Sequence, residues 1–220
     1  MEYRLIRSKR KTVSLTITPQ GELVVRAPVH ASLREIEEIA ARHSQWIERQ
    51  VQKAQKAASC KAAFGLRDGE EILFLGSRVV LASSQGECRL TGNTLWLPQG
   101  EEACRREALT AWMRRQAREY IPGRVEYFSS RMGLAPTRVS VTSARTRWGS
   151  CSGKNTLNFS LYLMSFPPRV IDAVVVHELA HIREKNHSAS FYRLVEDTMP
   201  DYRLRAAVLR EKQSEALIWA

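Results

Sequence analysis

Residues 166–184, FPPRVIDAVVVHELAHIRE, place the tightest limit on how this chain can fold. Two prolines open the segment where a helix accepts them, and aliphatic residues then occupy most sides of the helix instead of one stripe. Such a helix must be enclosed by other elements, with Asp172 and Arg183 marking the one edge expected to face water. It nevertheless carries His177, Glu178 and His181 inward. The helical neighbours of Glu178 are Ile171, Val174 and Ile182, and a carboxylate in that company is costly unless it has a partner or a task.

The chain has five histidines, and three of them, His177, His181 and His187, fall within eleven residues. Four residues of helix separate the first two rings by about 40° around the axis and about 6 Å along it, a spacing at which both can grip one metal ion. The H-E-x-x-H arrangement is the pattern of metallopeptidase helices, with the glutamate as general base. A catalytic zinc site takes three protein ligands and keeps a fourth position open. His187 is favoured as the third ligand over Glu184, because residues 177 and 184 lie about 10 Å apart along a helix, too far to converge on bonds of about 2.0–2.1 Å. The chain must therefore leave the helix and fold back, with Asn186 as the residue that tolerates a left-handed turn and Ser188 as the next cap. Glu196 and Asp197 are held in reserve. The remaining histidines carry no such pattern: His43 sits beside Trp46 on an apolar helix face and is expected to be packed, and His30 lies in a loop.

Elsewhere the periodicities predict an α+β protein. Residues 3–27 suggest a β hairpin turning at Pro19-Gln20-Gly21, and Ser32 with Glu35 forms a capping box for a helix reaching about Lys56. The stretch AQKAASCKAAFGL (54–66) is the weakest in pattern and the expected linker. Short β segments follow between Asp68 and Leu97, then a helix from Glu101 that should kink or split at Pro122-Gly123. TRVSVTSAR and NTLNFSLYL alternate as a half-buried antiparallel pair joined by a turn at CSGKN. The expected division is an N-terminal α+β region over residues 1–100 and a catalytic domain over 101–220.

Composition restricts the rest. The longest apolar runs are far too short to span a bilayer, and the N-terminus turns basic before any apolar stretch develops, so neither a membrane segment nor a secretory leader is expected. Cys60, Cys88, Cys104 and Cys151 are scattered without a CxxC pair, which suits reduced thiols in a cytoplasmic protein. A net charge of +11 favours anionic partners such as nucleic acid, although the basic residues form no single tract. A monomer is expected.

RWGSCS, LNFSLYLMSFPPRVIDAVVVHELAH and NHSASFY together resemble the YgjP-like metallopeptidase family, related to SprT-like and other zincin domains, and the N-terminal IRSKRKTVSLTIT and GELVVRAP are also similar to it. The resemblance implies a zincin-like hydrolase with Zn2+ held by His177, His181 and His187, and Glu178 as the catalytic glutamate. Tyr192 stands where relatives often carry tryptophan. The ligand spacing equals that of metzincins, but Glu184 replaces their turn glycine, and Met199 is expected to be core packing. In zincins the edge strand before the metal helix binds substrate backbone, which here would be Asn158–Leu163.

The expected chemistry is metal-assisted hydrolysis, with Glu178 taking a proton from the attacking water. Arg145 or Arg147 would stabilise developing negative charge or hold a phosphate, against the plainer alternative of a carboxylate-paired arginine beside a packed Trp148. Cys151 as a fourth ligand would instead close the site into a structural one. The substrate is expected to be a peptide or protein. The alternatives are a nucleotide phosphoanhydride, split by a metal-dependent nucleoside triphosphate pyrophosphatase without a P-loop, or a nucleic-acid-binding protein with an incidental metal.

Overall fold

The computed structural model describes residues 2–220, and the chain forms two compact units divided between Ala63 and Phe64. In the first unit, β1 (Arg4–Ser8), β2 (Ser14–Ile17) and β3 (Leu23–Pro28) make a sheet of order β1-β3-β2. The expected hairpin is β2–β3, antiparallel around Gly21 at φ +88, while β1 adds in parallel on the other side of β3. Helix α1 (Leu33–Arg42) starts from the predicted capping box: Ser32 Oγ accepts from the Glu35 amide at 3.1 Å, and Glu35 accepts from the Ser32 amide at 2.8 Å. It stops sooner than its pattern suggests. His43 caps it and is exposed, not packed, and α2 (Ser44–Ala63) continues helically through most of the expected linker. Ile36, Ala40 and Ile47 close the core over Leu23, Val25 and Ala27.

The second unit holds two sheets and four long helices. Strands β4 (Glu71–Phe74), β5 (Ser77–Ser84), β6 (Arg89–Thr91) and β7 (Thr94–Pro98) are ordered β4-β5-β7-β6. Helix α3 (Glu102–Met132) runs unbroken through Pro122-Gly123 instead of splitting. Proline frees the carbonyl four residues back, and Arg118 is exposed, so water can satisfy that oxygen. The buried stripe Leu109, Trp112, Met113, Ala117, Ile121, Val125, Phe128 and Met132 lays α3 across both sheets. Strands β4–β7 therefore share one apolar core with the histidine-bearing helix, and the expected boundary at residues 100 and 101 does not divide the molecule. Phe74 against Trp112, centroids 4.8 Å apart, is one such contact across it.

Strands β8 (Arg138–Thr142), β9 (Gly149–Cys151) and β10 (Thr156–Ser160) form the other sheet, ordered β8-β10-β9. The two alternating segments pair as expected but in parallel, since the chain crosses over between them. The antiparallel partner of β10 is the short β9, joined through the turn around Asn155 at φ +57. Strand β10 is thus central, with no free edge, and residues Leu161–Ser165 coil into a 3-10 turn. The expected substrate-binding edge at Asn158–Leu163 does not exist. Helices α4 (Pro168–Arg183), α5 (Ala189–Thr198) and α6 (Tyr202–Ala216) complete an α+β fold, with the antiparallel β9–β10 hairpin in the same unit. Among the described residues, no helix is long and apolar enough to cross a membrane.

Helix α4 is enclosed, as its sequence demands, with ten of its residues buried. Asp172 is one of them, contrary to its expected place on a wet edge. Arg124 of α3 reaches it with Nε at 2.7 Å and Nη2 at 2.9 Å, a bidentate pair that satisfies the carboxylate. The start of α4 is pinned by the β4–β5 turn, whose Leu75 and Gly76 amides donate to the carbonyls of Met164 and Ser165. Gly76 has φ +83, and a Cβ there would stand 2.5 Å from Pro167 Cγ. Gly76→Ala is expected to lower unfolding stability by about 2–4 kcal/mol, from backbone strain plus overpacking, read as a shifted denaturant midpoint with an unchanged slope.

Candidate metal centre

Histidines 177 and 181 leave α4 from its end nearest α5. After Arg183 the chain turns through Glu184 in an extended conformation, and Ser188 opens α5 by accepting from the Phe191 amide at 3.3 Å. The expected left-handed residue is absent: Asn186 does not have positive φ, and the extended Glu184 makes the bend. This turn brings His187 back over the helix. His177 Nε2 stands 3.2 Å from His181 Nε2 and 3.1 Å from His187 Nε2, and the ligating nitrogens of all three rings lie within 4.8 Å of one another. Nitrogens at the corners of a tetrahedral centre with bonds of about 2.0–2.1 Å would be about 3.3–3.4 Å apart, so the donor set suits a small divalent cation. Among the described residues this is the one such group of three, and Cys151 is outside it.

The outer ring nitrogens are held in the matching state. His181 Nδ1 lies 3.0 Å from the Glu184 carbonyl, which can only accept, so Nδ1 carries the proton and Nε2 turns its lone pair inward. His177 Nδ1 lies 2.7 Å from Tyr202 Oη. Burial, reinforced by the charges of His181 and His187, pushes the His177 imidazole down to about 4, and burial also lowers His181. Both rings are therefore neutral at physiological pH, as ligation requires. The Phe191 ring backs the cluster, with centroids 4.9, 4.6 and 4.8 Å from the three imidazoles. Glu184 contributes its carbonyl, not its carboxylate, which accepts from Ser190 at 2.9 Å. Glu196 pairs with Arg203, and Met199 is buried in the core as expected.

Glu178 is 5% exposed and has no hydrogen bond or ion pair with any described residue. Burial alone pushes its carboxyl up to about 7. It lies against Gly149 of β9, where an added Cβ would fall 2.6 Å from both Cγ and Oε1. The glycine in RWGSCS is thus the residue that lets a strand approach the carboxylate. Trp148, beside it, is half buried and edge-on to Phe166 at 4.8 Å. A recess of about 250 Å3 opens here, lined by Trp148, Gly149, Ala173, Val174, His177, Glu178, Tyr202, Ala206, Leu209 and Arg210.

The two arginines singled out by sequence are separated. Arg147 lines a second recess, with Ser150, Asn158 and Ser160, that shares Gly149 with the first. Arg145 is exposed and lines neither recess. Neither is paired with a carboxylate among the described residues. Cys151 is half buried, its thiol pushed up by burial. Three further residues of the site, Tyr202, Phe191 and Gly149, do not stand out in the sequence as site residues. Phe191 carries a signal, standing four residues after His187, whereas Tyr202 opens a separate helix that no local pattern ties to His177.

The Glu178 carboxyl keeps its proton to about pH 7 in the folded chain, against an ordinary 4.5. Its contribution to stability is therefore fully present below pH 4.5 and is lost as pH rises to about 7. Chelator-treated Glu178→Gln should match the parent at acid pH and exceed it by about 3 kcal/mol at about pH 8 in urea unfolding. A difference independent of pH would contradict this account.

Comparison with known proteins follows the same lines. The family model described as YgjP-like, metallopeptidase domain, matches residues 11–212. No curated protein matches significantly. Among solved structures, the metallopeptidase zymogen of Pyrococcus abyssi abylysin is similar over 42% of this chain and 95% of its own, at 20% identity and a TM-score of 0.39. That likeness is too shallow to carry an argument. The family match is not: it runs across most of the chain and takes in the imidazole cluster, Glu178, Gly149 and Tyr202, so the chain belongs to the YgjP-like metallopeptidase family.

Proposed function

We propose that this protein is a metal-dependent peptide hydrolase in which His177, His181 and His187 hold the ion and Glu178 is the general base. Three neutral imidazoles with an open fourth position are the donor set of catalytic zinc. A divalent ion at such a site supplies Lewis-acid polarisation and makes water acidic enough to attack near neutral pH. The observation that carries the reading is the isolation of Glu178, a buried carboxylate with no protein partner next to three converging imidazoles. A structural role would have given it an arginine, as Asp172 has Arg124.

Glu178 would take the proton of the attacking water and return it to the departing amine. Gly149 lets β9 lie directly against Glu178 and Phe191 backs the three rings. With β10 enclosed on both sides, β9 is the strand edge beside the site that a peptide backbone can meet. Arg147, which lines the neighbouring recess that shares Gly149, would steady negative charge on the substrate, a role for which Arg145, outside both recesses, is not placed.

That same unpaired Arg147 supports a second reading, hydrolysis of a nucleotide phosphoanhydride, in which it would hold a phosphate. Assaying zinc-loaded protein in parallel on unstructured peptides and nucleoside triphosphates separates the two. Glu178→Gln should retain one zinc per chain while kcat falls by about 10²–10⁴, and near-normal turnover would remove the glutamate from the mechanism. Tyr202→Phe should weaken zinc binding about 10–100-fold in competition with a chromophoric chelator, because the His177 ring loses its orienting hydroxyl.

A further inference from the structure

The recess beside Glu178 is chemically lopsided. Trp148, Val174, Ala206 and Leu209 give it apolar walls, and Arg210 is the one cationic side chain on its lining. Helix α6 has three arginines. Arg203 and Arg205 are tied to Glu196 and Asp201, but Arg210 has no hydrogen bond or ion pair with any described residue. Tyr202, Ala206, Leu209 and Arg210 follow one helix face, with the tyrosine at the imidazole cluster and the arginine two turns away, about 12 Å along the axis.

Size and spacing say what such a recess takes. At about 250 Å3 it falls below the roughly 300–1,000 Å3 of clefts that enclose a whole small-molecule ligand, and so suits one side chain better than a nucleoside. An extended peptide covers about 12 Å in three to four residues, and the long arginine stem spans part of that distance. An anion held by Arg210 would then sit one or two residues from the bond at Glu178. We propose that this recess is a carboxylate-selecting subsite: one apolar side chain of the substrate fills it, and Arg210 pairs with a carboxylate just beyond, either the peptide's own C-terminus or an acidic side chain. This rests on the peptide-hydrolase reading and narrows its substrate class.

The test has a binding arm that does not depend on turnover. Zinc-loaded Glu178→Gln protein is titrated calorimetrically with N-acetylphenylalanine and with its amide. The acid should bind at least about tenfold more tightly, Arg210→Met in the same background should erase that preference, and Arg210→Lys should restore part of it. Equal binding of acid and amide, or a preference that survives Arg210→Met because the acid sits on the metal, overturns the proposal. A cleavage arm on the Glu178 protein compares peptides ending in a free acid, in an amide, and in an amide with Asp or Asn near the end. Higher kcat/KM for the free acid assigns the C-terminus, and higher kcat/KM for Asp over Asn assigns a side chain. Indifference to all three counts against the subsite. Failure to cleave any peptide sinks the hydrolase reading, while the binding arm still decides the subsite.

Discussion

Everything at this site depends on helix α4 being buried while carrying polar groups. Each fully buried Val, Ile or Leu contributes about 1.5–3 kcal/mol, so two such residues offset the desolvation of the Glu178 carboxyl, and α4 buries more than two. Strong burial therefore makes the unpartnered acid tolerable. It also forces the other buried and half-buried polar groups on the helix to find company. Asp172 takes Arg124, His181 takes the Glu184 carbonyl, and His177 takes the Tyr202 hydroxyl. Among the buried polar groups of α4, Glu178 is the one without a partner among the described residues, and its burial instead of a bond favours the protonated form.

The same enclosure explains why the site is assembled from distant pieces. A helix surrounded on most sides receives its neighbours from wherever the chain returns: Gly149 from β9, Phe191 from α5, Tyr202 and Arg210 from α6. Each addresses one atom or one wall. Gly149 yields space to a carboxylate, Phe191 shields three rings, and Tyr202 sets which nitrogen of His177 faces inward. The β4–β5 turn takes part at one remove, because its clamp on Ser165 and Pro167 fixes where α4 begins.

Several features are legible in the order of residues alone. The enclosure of 168–183, the convergence of His177, His181 and His187, the capping box at Ser32 and the α+β character all follow from local spacing. Features that depend on what packs against a segment are not legible in that way. Asp172 reads as solvated because nothing in the sequence points to Arg124, 48 residues earlier. Strand β10 is expected to be an edge only through the zincin resemblance, and its alternation cannot correct this because it does not reveal how many neighbours a strand has; the pairing of β8 reads as antiparallel because alternation is blind to direction. Pro122 reads as a break, yet α3 continues through it, with the residue one turn earlier, Arg118, exposed to water. The boundary at 100 and 101 fails for a related reason, since only the packed core shows that β4–β7 and α4 share α3.

By itself the sequence determined the helix, its burial and the two imidazoles of His177 and His181 on one face, because these are consequences of rise and rotation per residue along a single element, while His187 had to return from beyond it. Only the tertiary structure decided which nitrogen each ring turns inward, that Glu178 is alone, and that Arg210 overlooks the recess while Arg145 does not. Those outcomes depend on through-space neighbours brought together by long-range packing, and no periodicity within one element encodes them.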